Sequence, residues 1–180
     1  MPGSRRLSQR IAEGDGIAII VRVRAAAAAS EAERAGAKAI AFDAAIEGIR
    51  GATTLPLLWT GDGPPVDADA VMIRPDAELA EHSELEHVVD VRDEEELEHA
   101  LEELDPEIFL LSGRGADDGE DPLDAVLELL PDVPAGKLAI AHVEEASRED
   151  VLALERAGID AVLVETGLVA ELVGEHPPTV

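Results

Sequence analysis

The chain has 180 residues, 40 of them acidic and 14 basic, for a formal net charge of −26 and a pI near 4.2. Such a field repels nucleic acid and anionic lipid, and 2% aromatic content with no Tyr leaves little for base stacking, so neither nucleic acid nor membrane is expected as a partner. Hydrophobic content of 46% excludes a disordered acidic chain, and the absence of Cys excludes disulfides, thiolate metal sites and a Cys nucleophile.

The elements follow in chain order. Residues 8–13 read as a lead-in helix. Residues 17–23 are a first apolar strand, followed by an Ala-rich helix through 25–35 that Gly36 ends. Residues 38–42 are a second strand, with a very short helix at 45–50, and residues 55–59 are a third. The segment GDGPPVDA is too rich in Gly and Pro for a full helix. Residues 69–74 form strand four, with a helix near 76–84, and residues 87–91 form strand five. Asp93 then caps a helix, with Glu96 placed to complete a capping box. Residues 108–111 are strand six, and Asp121 begins a helix through Leu130. The apolar run Leu138-Ala139-Ile140-Ala141 is strand seven. Ser147 caps a helix whose apolar positions Val151, Leu152, Leu154 and Ala157 recur with period 3.6 and which Gly158 ends. Ala161-Val162-Leu163-Val164 is strand eight, and residues 166–173 are a last helix.

Strands apolar on both faces and alternating with amphipathic helices belong to a parallel sheet. Eight such beats with right-handed crossovers close into a compact (β/α)8 TIM barrel, the fold class expected here, with an open doubly wound sheet as runner-up. One domain spans 1–180, with a lead-in at 1–14 and a frayed tail at 175–180. The opening residues carry basic groups without an apolar run, and no run approaches the ~18–20 residues of a span, so a cytoplasmic location is expected.

The LPLL of strand three, DAVMI of strand four, VVDVRDEEELEHAL and AIAHVEEASREDVLALERAGIDAVLVETGL follow each other in an order that resembles the indole-3-glycerol-phosphate synthase family of tryptophan biosynthesis. The resemblance runs from about Ile17 to Leu168. It implies a lyase that closes carboxyphenylamino-deoxyribulose phosphate to indole-3-glycerol phosphate with loss of CO2 and water, using lysines and glutamates at the strand tops. At the matching positions this chain differs. The family's Glu-Val-Lys on strand one is Arg22-Val23-Arg24, and its lysine after strand three is Thr60. Its strand-five Glu is Asp90, and its Asn-Asn pair is Ser112-Gly113. Its Glu-Ser-Gly is His142-Val143-Glu144, and its Gly-Glu is Glu165-Thr166.

The residues alone support the same point. The only two lysines, Lys38 and Lys137, stand at strand starts, on the face where barrels do no chemistry. Arginine cannot replace them as an acid, because its pKa lies far above neutrality. Glu144, Glu145 and Glu165 occupy the loops that hold phosphate in such barrels, where carboxylates repel it. Little or no synthase activity is therefore expected.

Strand alternation sends Arg22, Arg24, Arg74, Asp90, Arg92, Ser112 and His142 toward the barrel mouth, with Arg114 on the loop above. Two readings stay open. In one, Arg22, Arg24, Arg74, Arg92, Ser112 and Arg114 bind a small carboxylate or phosphate, with Asp90 and His142 as weak catalytic candidates. In the other, the arginines pair with Asp90, Asp43 and Asp62 as a structural plug. No metal site is expected, and no Gly-rich nucleotide loop or GxSxG appears, so no cofactor is expected. Trp59 reads as core, and His82 and His87 as surface residues. The short segment after strand three leaves barrel wall that could support a homodimer.

Overall fold

A computed structural model describes residues 6–14, 16–78, 82, 84–112, 119–165, 169 and 172. The eight strands are β1 (Ala18–Arg22), β2 (Ala39–Phe42), β3 (Leu57–Trp59), β4 (Ala70–Ile73), β5 (Glu86–Val91), β6 (Ile108–Ser112), β7 (Leu138–His142) and β8 (Ala161–Val164). All pair in parallel, each with its sequence neighbours, and β8 returns to β1 to close a barrel. The helices are α1 (Leu7–Ala12), α2 (Ala26–Ala35), α3 (Ile49–Ala52), α4 (Glu94–Glu103), α5 (Pro122–Leu129) and α6 (Arg148–Ala157).

Local signals act as the sequence indicates at several ends. Gly36 and Gly158 end α2 and α6 in the left-handed region, at φ 107° and 103°, where a side chain would strain the backbone. Ser147 and Asp150 form a reciprocal capping box on α6. The expected box on α4 is only half made. The Asp93 side chain accepts from the Glu96 N–H at 2.8 Å, but the Glu96 carboxylate accepts from the Arg92 N–H and from Arg74 instead. Asp121 caps α5, which stops at Leu129 and passes into a 3-10 turn, Leu130–Asp132, where Pro131 has no N–H to continue the ladder. The short helix expected at 45–50 lies later, at Ile49–Ala52. Of the helix expected near 76–84, residues 79–81 and 83 lie outside the described residues; Pro75 and Asp76 form a turn, Ala77 and Glu78 have no regular structure, and His82 is 3-10 helical. The last expected helix lies outside the described residues except for Val169 and Leu172, which are helical.

Alternation along each strand separates two apolar clusters. Outward residues such as Ile19, Val21, Ile40, Phe42, Val89 and Val162 pack under the helices. Inward residues, among them Ile20, Ala41, Leu58, Val88, Leu110, Ile140 and Leu163, fill the barrel together with Leu7 and Ile11 of α1. The lead-in helix is thus a plug, its two buried side chains 0% and 3% exposed. Its N-terminus has no cap of its own, and the inward Glu86 of β5 supplies one. The Glu86 carboxylate accepts from the Leu7 N–H, the Ser8 N–H at 3.3 Å and the Ser8 hydroxyl. Both lysines lie at this closed end: Lys38 precedes β2, and Lys137 precedes β7 and pairs with Asp105 at 2.7 Å.

Candidate functional site

The strand registers set out the open end. In a barrel of this type, inward side chains from alternate strands share a layer. The pairings Arg22 with Ala41, Ala41 with Leu58, Val88 with Ile108, Asp90 with Leu110, and His142 with Leu163 place Arg22, Thr60, Asp90 and His142 in one layer, above Ile20, Leu58, Val88 and Ile140. One step higher, the even strands contribute Asp43, Arg74, Ser112 and Glu165. Thr60, Asp90, Ser112 and His142 are 8%, 6%, 1% and 6% exposed. With Thr53 they are all the buried polar residues among those described, so buried polarity concentrates at this mouth.

Ion pairs organise it. Arg22 Nη1 donates to Glu165 Oε1 at 2.8 Å, linking β1 to the end of β8. Arg74 Nη1 donates to Asp90 Oδ2 and to the Asp90 carbonyl, both at 3.1 Å, while its Nη2 donates to Glu96 Oε1. Burial pushes the Asp90 carboxyl above its ordinary value of 3.8, against the opposing pull of the Arg74 and Arg92 charges. Two buried polar atoms, Asp90 Oδ1 and Arg22 Nε, have no hydrogen-bond partner among the described residues. Arg24 and Arg92 are exposed, and their guanidinium groups form no ion pair with a described residue.

Thr60 donates its hydroxyl to the Phe42 carbonyl at 3.3 Å, which holds the β3 end against β2. The next residue is Gly61 for a steric reason: a Cβ there would strike the Asp43 carbonyl oxygen and the Trp59 ring. Trp59 is core, as expected. It meets Phe42 edge to face at 5.3 Å and donates its indole N–H to the Gly63 carbonyl at 3.0 Å. His87 is half-buried rather than at the surface, with its Nε2 2.9 Å from the His82 carbonyl oxygen.

A cleft of about 520 Å³ opens beside the mouth, between the start of α5 and the loop after β7. Among the described residues, Asp121, Pro122, Leu123, His142, Val143, Glu144, Glu145 and Asp150 line it, and none of these is a lysine or arginine. His142 therefore belongs both to the mouth layer and to the cleft wall. Among the described residues, no group of three or more His, Cys, Asp or Glu could hold a metal ion.

Strand alternation correctly sent Arg22, Arg74, Asp90, Ser112 and His142 to this end. Arg114 lies outside the described residues. On the plug reading the arginines pair with Asp90, Asp43 and Asp62, and of these pairs the structure has Arg74 with Asp90. The structure gives Arg22 to Glu165 and adds Glu96 to Arg74. Thr60 was legible only as the place of an absent lysine, although counting two from Leu58 marks it as inward.

No family model matches the chain. It is 39% identical over 77 residues to the indole-3-glycerol phosphate synthase of Variovorax paradoxus (strain S110), a stretch of 43% of this chain and 29% of that protein. It is 35% identical over 89 residues to that of Alkaliphilus metalliredigens (strain QYMF), 49% of this chain and 34% of the relative. Against that of Chlorobium limicola (strain DSM 245 / NBRC 103803 / 6330) it is 32% identical over 100 residues, 56% of this chain and 38% of the relative. The match thus spans about a third of the length of these curated relatives. Among solved structures, N-acetylmannosamine-6-phosphate 2-epimerase from Clostridium perfringens superposes with a TM-score of 0.68 at 15% identity, covering 86% of this chain and 88% of that one. Thiamine phosphate pyrophosphorylase from Pyrococcus furiosus gives 0.66 at 14% identity, covering 93% and 92%. These two show the fold alone. No described helix is long and apolar enough to cross a membrane. Over about half of its length the sequence of this closed (β/α)8 barrel is similar to the indole-3-glycerol phosphate synthases.

Proposed function

We propose that this barrel keeps the synthase scaffold and has lost the synthase reaction. The observation that carries this reading is the position of the ammonium groups. Ring closure needs proton donors at the open end, and both lysines lie at the opposite end of the barrel, Lys137 engaged by Asp105. The guanidinium groups that stand at the mouth cannot release a proton near neutrality. General acid–base groups contribute roughly 10²–10⁴-fold each, so the absence of two leaves little of the reaction. The acidic cleft beside His142 also disfavours the phosphate of the family's substrate. The test supplies carboxyphenylamino-deoxyribulose phosphate to the full chain and follows indole fluorescence. The expected turnover is below that of an ordinary synthase by at least about 10³-fold. Turnover within a few hundredfold would overturn the proposal.

A second reading is a non-catalytic small-anion site. It is favoured by Arg24 and Arg92, which are exposed and unpaired among the described residues. On that reading inorganic phosphate or acetate raises Tm with a concentration dependence of RT ln(1 + [L]/Kd), and Arg24→Ala removes the shift.

A further inference from the structure

At the mouth Asp90 is buried and Arg22 largely so, and each keeps a buried polar atom unsatisfied. Arg22 gives Nη1 to Glu165 and keeps Nε without a partner, and Asp90 gives Oδ2 to Arg74 and keeps Oδ1 without one, among the described residues. The Asp90 side chain is 8% exposed and that of Arg22 12%. An unmet buried polar atom is costly, so native proteins rarely keep one without a role for it. The two residues sit on β1 and β5, opposite strands of the closed barrel and the same layer. One atom needs an acceptor and the other a donor.

Charge narrows the class of molecule that supplies both. An anion meets the Asp90 carboxylate at the mouth and, beside it, a cleft with four carboxylates and no basic side chain among the described residues that line it. A cation meets the Arg74 and Arg92 charges that surround Asp90. An uncharged molecule with several hydroxyls is opposed by neither, and each hydroxyl both donates and accepts. Thr60 and His142 complete the layer with a hydroxyl and an imidazole. The cleft that shares His142 with this layer has about 520 Å³ and apolar walls at Pro122, Leu123 and Val143, a volume that suits a monosaccharide, while Arg22, Thr60 and Asp90 stand outside its lining.

We propose that the mouth binds an uncharged polyhydroxylated molecule, a sugar or sugar-like polyol without phosphate, whose hydroxyls accept from Arg22 Nε and donate to Asp90 Oδ1. The proposal rests on the reading that the synthase reaction has been lost, and it competes with the small-anion reading. The experiment titrates the full chain with D-ribose, D-glucose and xylitol, and separately with inorganic phosphate, acetate and ethylamine. The readout is the Arg22 Nε–H resonance in ¹H–¹⁵N spectra, identified by its loss in Arg22→Lys. At least one of the three polyols is expected to shift it saturably, with Kd at least tenfold weaker in Asp90→Asn and in Thr60→Val. Both variants are judged only where their spectra stay folded, and the parent titration alone decides if neither does. A resonance that none of the three polyols moves, or that saturates at lower concentration with phosphate, acetate or ethylamine, overturns the proposal. Synthase turnover is a separate measurement, so failure of the underlying reading is told apart from failure of this one.

Discussion

Glu86 and Asp90 stand four residues apart on β5, both pointing into the barrel, and they have opposite fates. Glu86, at the closed end, collects the Leu7 N–H, the Ser8 N–H and the Ser8 hydroxyl, and has Arg6 at 3.9 Å. Asp90, at the open end, has one oxygen held by Arg74 and the other without a partner among the described residues. The difference lies in what covers each end. A helix N-terminus brings its own unmet donors, so a carboxylate opposite it is fully used. The mouth has no element seated over it among the described residues, and its charges are shared out in pairs that leave single valences over. The contrast sets the closed end, where a barrel keeps its stability, against the open end, where barrels of this type place their chemistry.

The comparison can be broken most forcefully at the closed end. Leu7→Ala empties a fully buried plug position and is expected to cost about 2–5 kcal/mol in urea unfolding. A loss below 1 kcal/mol would mean that α1 does not seal the barrel. Glu86→Gln exchanges one acceptor oxygen for a donor facing the start of α1 and is expected to cost about 1–3 kcal/mol, measured the same way. Protection of the Leu7 and Ser8 amides from hydrogen exchange should fall with it. No change in that protection would remove the capping role given to Glu86.

The smallest effect sharpens the comparison at the open end. The folded-state pKa of Asp90 lies above 3.8, so in the window just above that value the folded chain binds more protons than the unfolded one. Stability from this carboxyl is therefore greatest at low pH and falls as pH rises through the window. Asp90→Asn removes that fall, so the variant should gain on the parent as pH increases across it. Glu33 offers the opposite sign. Hydrogen bonds from Thr54 and Thr53 hold its carboxyl below its ordinary 4.5, so its contribution is present above that value and is lost as pH drops below it. Glu33→Gln should lose ground to the parent as pH rises from acid. Urea titrations at a series of pH values read both differences. Parallel curves for parent and Asp90→Asn would contradict the burial argument.

The sequence by itself determined the eight apolar strands, the glycine stops of α2 and α6, the Ser147 cap, and which side chains face inward. Each depends on residues within a few positions of one another, through periodicity, φ preference or a local hydrogen bond. The absence of lysine from the mouth was legible for the same reason, because strand starts and strand ends can be told apart in the chain. Partnership was not legible. Arg22 meets Glu165 across 143 positions, Glu86 caps a helix 79 positions earlier, and Glu96 gives its carboxylate to Arg92 and Arg74 instead of closing its own box. Closing the barrel brings several acids within reach of each guanidinium, and only the three-dimensional arrangement decides which of them wins and which polar atoms are left over.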